Sequence, residues 1–267
     1  IQVSKKNPDN FVNRAVKIIK TGFGQPSVFN TDAIIQEMLR QGKDLVDARK
    51  GGASGCVETG AFGTEAYILT GYFNMPKVLE LTLNNGTDPL TRKQLGLNTG
   101  KAVDFKTYEE LLFAFHQQLN YFIGIKIRGN NIIERIFSRH LPVPFLSILI
   151  EDCIKKGIDY VAGGARYNTS YIQGVGLGTM TDCLAALKWH VYTKKTVSMK
   201  EMLAALKSDF LVNKQLRYKL LYDTPKYGND NDEADDRLQE VFEAYYKAVN
   251  GKPNTRGGVH RINLLPT

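Results

Sequence analysis

The sequence predicts a mixed α/β protein with more helix than strand. Thr107 and Glu110 form a capping box directly ahead of an apolar pattern at helical spacing. Ser198 and Glu201 form a second box of the same kind. Short apolar runs such as YFIGIKI and DYVAG lie between helical patterns and are candidates for core strands, although periodicity alone does not separate a short strand from buried helix.

Residues typical of helix ends predict the remaining helices. Pro76 suits the first turn of a helix that runs through KVLELTLNN and ends at Gly86. FLSILIEDCIKKG predicts another helix, which ends at Gly157. Four acidic residues ahead of RLQEVFEAYYKAV favour a helix start because they complement its dipole. They are Asp232, Glu233, Asp235 and Asp236.

Composition indicates a folded protein rather than a membrane or disordered chain. Of 267 residues, 43% are hydrophobic and 23% charged, and the longest apolar candidate, LPVPFLSILI, is too short and proline-rich to span a bilayer. No repeat or linker divides the chain, so we expect one domain over residues 1–267. The first residues contain neither an initiator Met nor a signal sequence, and we therefore expect a piece of a longer cytoplasmic protein.

Charge and the metal-binding residue types exclude several function classes. The formal net charge of +8 comes from scattered Lys and Arg, which does not favour a nucleic-acid surface. The three cysteines have neither disulfide nor CxxC spacing, and the four histidines form no metal motif. GVGLGTM, residues 174–180, has Thr179 where a dinucleotide motif has its third glycine, so we expect a tight turn before a helix.

The candidate catalytic segment is GGASGCVETGAFG, residues 51–63. Its five glycines predict a loop that turns tightly or approaches another group closely. In an extended loop, residues two apart point to the same side, so Cys56 and Glu58 would face one cavity. The alternative is that Cys56 is a small buried hydrophobic residue, as most free cysteines are.

Two mechanisms use a thiol and a carboxylate. A nucleophilic cysteine needs a lowered pKa, and a neighbouring carboxylate raises it, so Glu58 argues against this mechanism. A cysteine that removes a hydrogen atom does not need to be ionised, and a carboxylate beside it can serve as acid or base for a substrate hydroxyl. The Cys56 and Glu58 pair therefore favours radical chemistry.

Beyond this pair, the sequence resembles the glycyl radical enzymes. SGCVETGAFGTEAYILTGYFN is similar to the family's thiyl-radical loop. Three later stretches are similar to its barrel segments: DYVAGGARYNTSYIQGVGLGTMTDCLAALKWHVY, VSMKEMLAALKSDF and YGNDNDEADD. The resemblance covers residues 12–267 and implies a ten-stranded α/β barrel with the cysteine loop at its centre. It also implies that the chain is a mostly helical part of one such barrel domain, without the glycyl radical segment near the C-terminus.

The resemblance also implies roles for individual residues. Cys56 would abstract the substrate hydrogen, and Glu58 would act as acid/base for loss of water. Val57 stands where pyruvate formate-lyase has a second cysteine, which argues against acyl transfer. TGAFGTEAYILTGYFN is most similar to the members that dehydrate trans-4-hydroxy-L-proline, in which a tyrosine at the position of Tyr72 lines the substrate pocket. Tyr72 as a plain core residue is the alternative.

Partners and competing functions follow from the same resemblance. It implies that this chain binds no cofactor itself, and that an activating enzyme with S-adenosylmethionine and an iron-sulfur cluster installs the glycyl radical elsewhere in the protein. It further implies a small-molecule substrate and a homodimer. Alternatives within the family are a glycerol or propanediol dehydratase, a choline lyase and an arylacetate decarboxylase. A catalytically silent barrel fragment is the alternative from another class.

Overall fold

The computed structural model describes residues 1–23 and 25–265, and 53% of these residues are helical in a mixed α/β structure. The predicted fold class is confirmed. The chain divides into two compact units. The first unit comprises Ile1–Leu69, Ile132–Tyr171 and Pro253–Val259. The second comprises Thr70–Asn131, Ile172–Lys252 and His260–Thr267.

The α-helices of the described residues are numbered along the chain. They are α1 Asp9–Ile18, α2 Thr31–Arg40, α3 Leu45–Lys50, α4 Met75–Leu83, α5 Tyr108–His140, α6 Pro144–Ser147, α7 Cys153–Lys156, α8 Leu177–Ala186, α9 Met199–Lys207, α10 Lys214–Tyr222 and α11 Asp232–Val249. Short 3-10 helices occur at Ala102–Asp104 and Tyr160–Ala162, and π-helical turns at Ile19–Phe23 and Leu187–Thr193.

Among residues 1–23 and 25–265, the strands form three small sheets. They are β1 Gln2–Val3, β2 Phe29–Asn30, β3 Gly52–Ser54, β4 Glu58–Gly60, β5 Glu65–Asn74, β6 Tyr167–Val175 and β7 Val259–Leu265. Strands β1 and β2 pair in parallel, and β3 and β4 form an antiparallel hairpin. Strands β5, β6 and β7 form a three-stranded sheet in that order.

Helix ends agree well with the local signals in the sequence. Both halves of the capping box at Ser198 and Glu201 are present at the start of α9. At α5, Thr107 accepts a hydrogen bond from the Glu110 N–H (3.3 Å), while the Glu110 carboxylate accepts one from the N–H of Lys106 (2.6 Å). Helix α11 begins at the acidic run, as predicted.

The structure rules out both candidate strands and corrects one predicted helix. YFIGIKI lies inside α5, where buried residues recur every four positions through Leu111, Phe115, Leu119 and Ile123. DYVAG contains a 3-10 turn instead of a strand. FLSILIEDCIKKG forms two short helices, α6 and α7, because the backbone at Asp152 is left-handed (φ 75°) and breaks the helical path between them.

Each unit has its own apolar core. The second unit is built around buried side chains from α4, α5, α8, α9 and α11. The core of the first unit is small and contains Ile34, Met38, Ala48 and Ala61. Buried polar groups supplement it, since Lys43 pairs with Glu65 (2.6 Å) with both side chains almost fully buried. The first unit contains β3 and β4, and Met38 packs against the start of this hairpin at Gly51.

Candidate active site

The glycine-rich segment forms a β-hairpin. The register pairs Gly52 with Gly60, Ala53 with Thr59 and Ser54 with Glu58, which leaves residues 55–57 as a three-residue turn. The predicted open loop is therefore limited to this turn. Gly55 begins this turn in the left-handed conformation, with a φ of 59°, which glycine adopts without steric cost. Cys56 consequently lies at the tip of a short ribbon.

The carboxylate of Glu58 folds back over this turn. Its Oε2 atom accepts hydrogen bonds from the backbone N–H groups of Cys56 (2.8 Å) and Val57 (3.1 Å). A Cβ atom on Gly55 would lie 2.5 Å from the same oxygen, so only glycine leaves room for the carboxylate there. Within the described part of the chain, Oε1 of Glu58 has no hydrogen-bond partner.

The contact that the structure shows between Cys56 and Glu58 is not the one expected. An extended loop would point both side chains the same way, but the chain turns at Gly55 and the carboxylate bonds to the main chain of Cys56 itself. The thiol of Cys56 is free and exposed, which contradicts the alternative of a small buried hydrophobic residue. The same short hairpin thus carries an exposed thiol and a carboxylate whose Oε1 has no hydrogen-bond partner among the described residues.

Two tyrosines contact this hairpin, and the sequence interpretation did not identify either. The hydroxyl of Tyr67 in β5 lies 3.0 Å from that of Ser54, and its ring packs on Gly60. The hydroxyl of Tyr171 in β6 donates to the backbone oxygen of Thr59 (3.2 Å). Tyr171 is 112 residues from its partner, so no local sequence signal could have revealed the contact.

Tyr72 belongs to the second unit, whereas Cys56 and Glu58 belong to the first. It lies in β5 and is 64% exposed, so it is not a core residue. The neighbouring backbone at Gly71 has a φ of 121°. Lys126 donates from Nζ to the carbonyl oxygen of Thr70 (3.0 Å), and burial lowers the pKa of this lysine. A pocket role for Tyr72 remains a prediction.

The described residues offer neither a metal site nor a membrane-spanning helix. No group of three or more His, Cys, Asp or Glu side chains in residues 1–23 and 25–265 is arranged to hold a metal ion. Of the helices in this part of the chain, none is both long and apolar enough to cross a membrane.

Comparison with known proteins identifies the class of protein. A family model described as pyruvate formate lyase-like matches residues 1–267. The chain belongs to this family. The solved structures that it resembles are glycyl radical enzyme barrels, as the sequence resemblance implied.

Two individual relatives within this family show different degrees of sequence identity to the chain. The chain is 54% identical over 267 residues to trans-4-hydroxy-L-proline dehydratase of Clostridioides difficile. This match covers 100% of the chain and 34% of the relative. It is 34% identical to (2S)-3-sulfopropanediol dehydratase of Klebsiella oxytoca, over 97% of this chain and 32% of the relative. The chain therefore spans about a third of the length of the curated relatives that it matches.

Solved structures give the same result. The crystal structure of hydroxyproline dehydratase from Clostridioides difficile with trans-4-hydroxy-L-proline bound matches with a TM-score of 0.94 and 54% identity, over 100% of this chain and 34% of that one. The B12-independent glycerol dehydratase of Clostridium butyricum, in its glycerol-bound form, matches with a TM-score of 0.89 and 34% identity, over 99% of this chain and 34% of that one.

Proposed function

We propose that this chain is the part of a glycyl radical dehydratase that carries the hydrogen-abstracting cysteine and the acid/base carboxylate, and that the substrate is trans-4-hydroxy-L-proline. The observation that carries the proposal is the 54% identity over the whole chain to an enzyme of that name. The geometry supports it, because the free thiol of Cys56 is exposed at a turn that also holds the Glu58 carboxylate.

The residues fit a radical relay. A hydrogen-abstracting sulfur must be accessible and unbonded, and Cys56 is both. In the complete protein the glycyl radical, installed by an activating enzyme that cleaves S-adenosylmethionine, would supply the unpaired electron. The tight turn fixes the backbone that carries the sulfur, since two N–H groups of residues 56 and 57 are held by one carboxylate oxygen.

The proposed reaction removes water without net oxidation. The Cys56 sulfur takes a hydrogen atom from the carbon next to the hydroxyl-bearing carbon, so that a C–H bond breaks, an S–H bond forms and the unpaired electron stays on carbon. The hydroxyl then leaves as water with a proton from Glu58, and a proton lost from the ring nitrogen restores the charge. The product radical takes a hydrogen atom back from Cys56, which leaves a pyrroline carboxylate.

Glu58 is suited to the acid/base step by the division of labour between its two oxygens. Oε2 accepts both loop N–H groups, and Oε1 has no partner among the residues described. We therefore assign the transferred proton to Oε1. Tyr72, at 64% exposure, has a free surface with which to contact the substrate, and we include it as a substrate-binding residue.

Anaerobic activation of the complete protein tests this proposal. We expect a glycyl doublet in the electron paramagnetic resonance spectrum after addition of the activating enzyme and S-adenosylmethionine, followed by turnover of trans-4-hydroxyproline. Glycerol, propanediol and choline are offered in parallel. Turnover of one of these alone would replace the proposed substrate, and failure to form a radical where a related enzyme is activated would favour a silent scaffold.

The Glu58→Gln variant is expected to dehydrate hydroxyproline about 100-fold or more slowly than the wild type, which is the range for loss of a general acid/base. Glutamine keeps an oxygen that can accept the two loop N–H groups, but it cannot transfer the proton. The rate is measured per glycyl radical, with the surface variant Glu37→Gln as the control. A rate within a few-fold of the wild type would mean that Glu58 only shapes the turn.

A further inference from the structure

We propose that Tyr171, together with Tyr67, is a positioning residue for the reaction, because the two hydroxyls fasten the Cys56 hairpin to strands β5 and β6. The proposal rests on the proposed function of Cys56 and Glu58. Neither tyrosine hydroxyl is suggested to touch the substrate. Both would act through the backbone that carries the thiol and the carboxylate.

The contact of Tyr171 reaches the residue that follows Glu58. Its hydroxyl donates to the backbone oxygen of Thr59 (3.2 Å), and the tyrosine is only 2% exposed. Thr59 pairs with Ala53 across the hairpin. A shift of the Tyr171 hydroxyl would therefore displace β4 at Thr59, the residue next to Glu58.

Tyr67 makes the corresponding contact on the other strand of the hairpin, β3. Its hydroxyl lies 3.0 Å from that of Ser54, which is the residue paired with Glu58 in the hairpin register. Its ring fills the space above Gly60, where a Cβ atom would come within 2.4 Å of a ring carbon. Each hairpin strand is thus anchored to the sheet within one residue of the Glu58 pair.

The two tyrosine contacts stabilise a hairpin that is too short to be stable alone. A two-stranded ribbon is at best marginally stable alone in water, and β3 and β4 contain three residues each. Without outside support the turn at residues 55–57 would sample several positions. Because hydrogen transfer depends steeply on distance and orientation, a misplacement of about 1 Å can cost about 100-fold in rate.

The test compares Tyr171→Phe with Tyr245→Phe in the complete protein. Tyr245 is a matched control, since it is also fully buried and donates from its hydroxyl to a backbone oxygen, that of Ile172 (2.9 Å), without contacting the hairpin. Hydrogen exchange is followed in the peptide that covers residues 52–60. Turnover per radical and KM are measured in the same preparations.

We expect Tyr171→Phe to speed exchange of the Cys56 and Val57 amides about fivefold, as for a hydrogen bond of ordinary net strength. We expect kcat per radical to fall about 10-fold with little change in KM. Tyr245→Phe should leave exchange of residues 52–60 and kcat unchanged, even where both variants shift the unfolding midpoint equally.

Together, the outcomes distinguish failure of the positioning proposal from failure of the proposed function. Unchanged exchange in Tyr171→Phe would overturn the positioning role, and so would faster exchange with unchanged kcat. An equal loss of kcat in both variants would reduce Tyr171 to a general stabilising residue. Faster exchange confined to Tyr171→Phe, in a protein whose wild type turns over no hydroxyproline, would reject the proposed substrate while supporting the anchoring of the hairpin.

Discussion

The Cys56→Ser variant of the complete protein is expected to lose the proposed hydroxyproline dehydration below detection while keeping its fold. A serine hydroxyl forms a much stronger O–H bond than the S–H bond of cysteine, so its oxygen would not serve as the reversible hydrogen carrier that the reaction needs. Cys56 is exposed at a turn, and replacing sulfur with oxygen there creates no cavity. The loss should therefore be chemical, with no contribution from unfolding.

Turnover, the radical signal and thermal unfolding are measured together to separate these causes. The glycyl doublet should still form in Cys56→Ser, because the cysteine acts after activation. Cys183→Ser is the matched control, since Cys183 is also a free and exposed thiol but lies in helix α8. Retained turnover in Cys56→Ser would remove the hydrogen-abstraction role, and an equal loss in Cys183→Ser would point to a general effect of thiol replacement.

The Arg256→Met variant is expected to destabilise the first unit by about 3–5 kcal/mol, the usual cost of leaving a buried charge without its partner. Arg256 is 4% exposed and its Nε lies 3.5 Å from the carboxylate of Glu134, which is 6% exposed. Its guanidinium also donates to the backbone oxygens of Ala66 (3.2 Å) and Thr169 (2.6 Å). Methionine fills the space but satisfies none of these acceptors.

The charge state of this pair supports the size of the effect. Burial by itself would raise the pKa of Glu134, but hydrogen bonds from Ser170 and Thr255 and the nearby Arg256 lower it overall, which keeps the carboxylate ionised. Burial lowers the pKa of Arg256, while Glu134 opposes that shift. Removal of the arginine would thus leave a buried, ionised carboxylate without its charged partner.

The free energy of opening is measured by hydrogen exchange of amides at residues 65–69 and 167–171 in the complete protein. Arg261→Met serves as the control, because Arg261 is only partly buried and its guanidinium bonds to the side chain of Asn250 (3.1 Å). A double replacement of Glu134 and Arg256 by methionine should recover part of the loss. A change below about 1 kcal/mol in Arg256→Met would show that water or other groups compensate the carboxylate.

Much of the fold could be predicted because its signals are local. The capping box of Ser198 and Glu201 joins residues three positions apart, and both of its hydrogen bonds are present. Gly157 ends α7 in the left-handed conformation expected of a terminal glycine. The site signal was equally local, since Cys56 and Glu58 are two residues apart in a glycine-rich segment.

The rest depended on which distant segments meet. The apolar residues of YFIGIKI fit either a short strand or a buried helix. In the folded chain they extend the buried face of α5. The turn at Gly55 decided that the Glu58 carboxylate bonds to the Cys56 backbone, and no composition rule specifies that direction. The placement of Tyr72 and Cys56 in different units is likewise a property of the folded chain.

By itself the sequence determined the α/β class, several helix ends and the presence of a thiol and a carboxylate two residues apart, because these depend on residues within about four positions of each other. Only the tertiary structure decided the anchoring of the hairpin by Tyr171 and the pairing of Arg256 with Glu134, 112 and 122 residues apart along the chain. The physical reason is that a buried hydrogen bond or ion pair is specified by the packing of strands and helices, and a single sequence does not record which strands become neighbours.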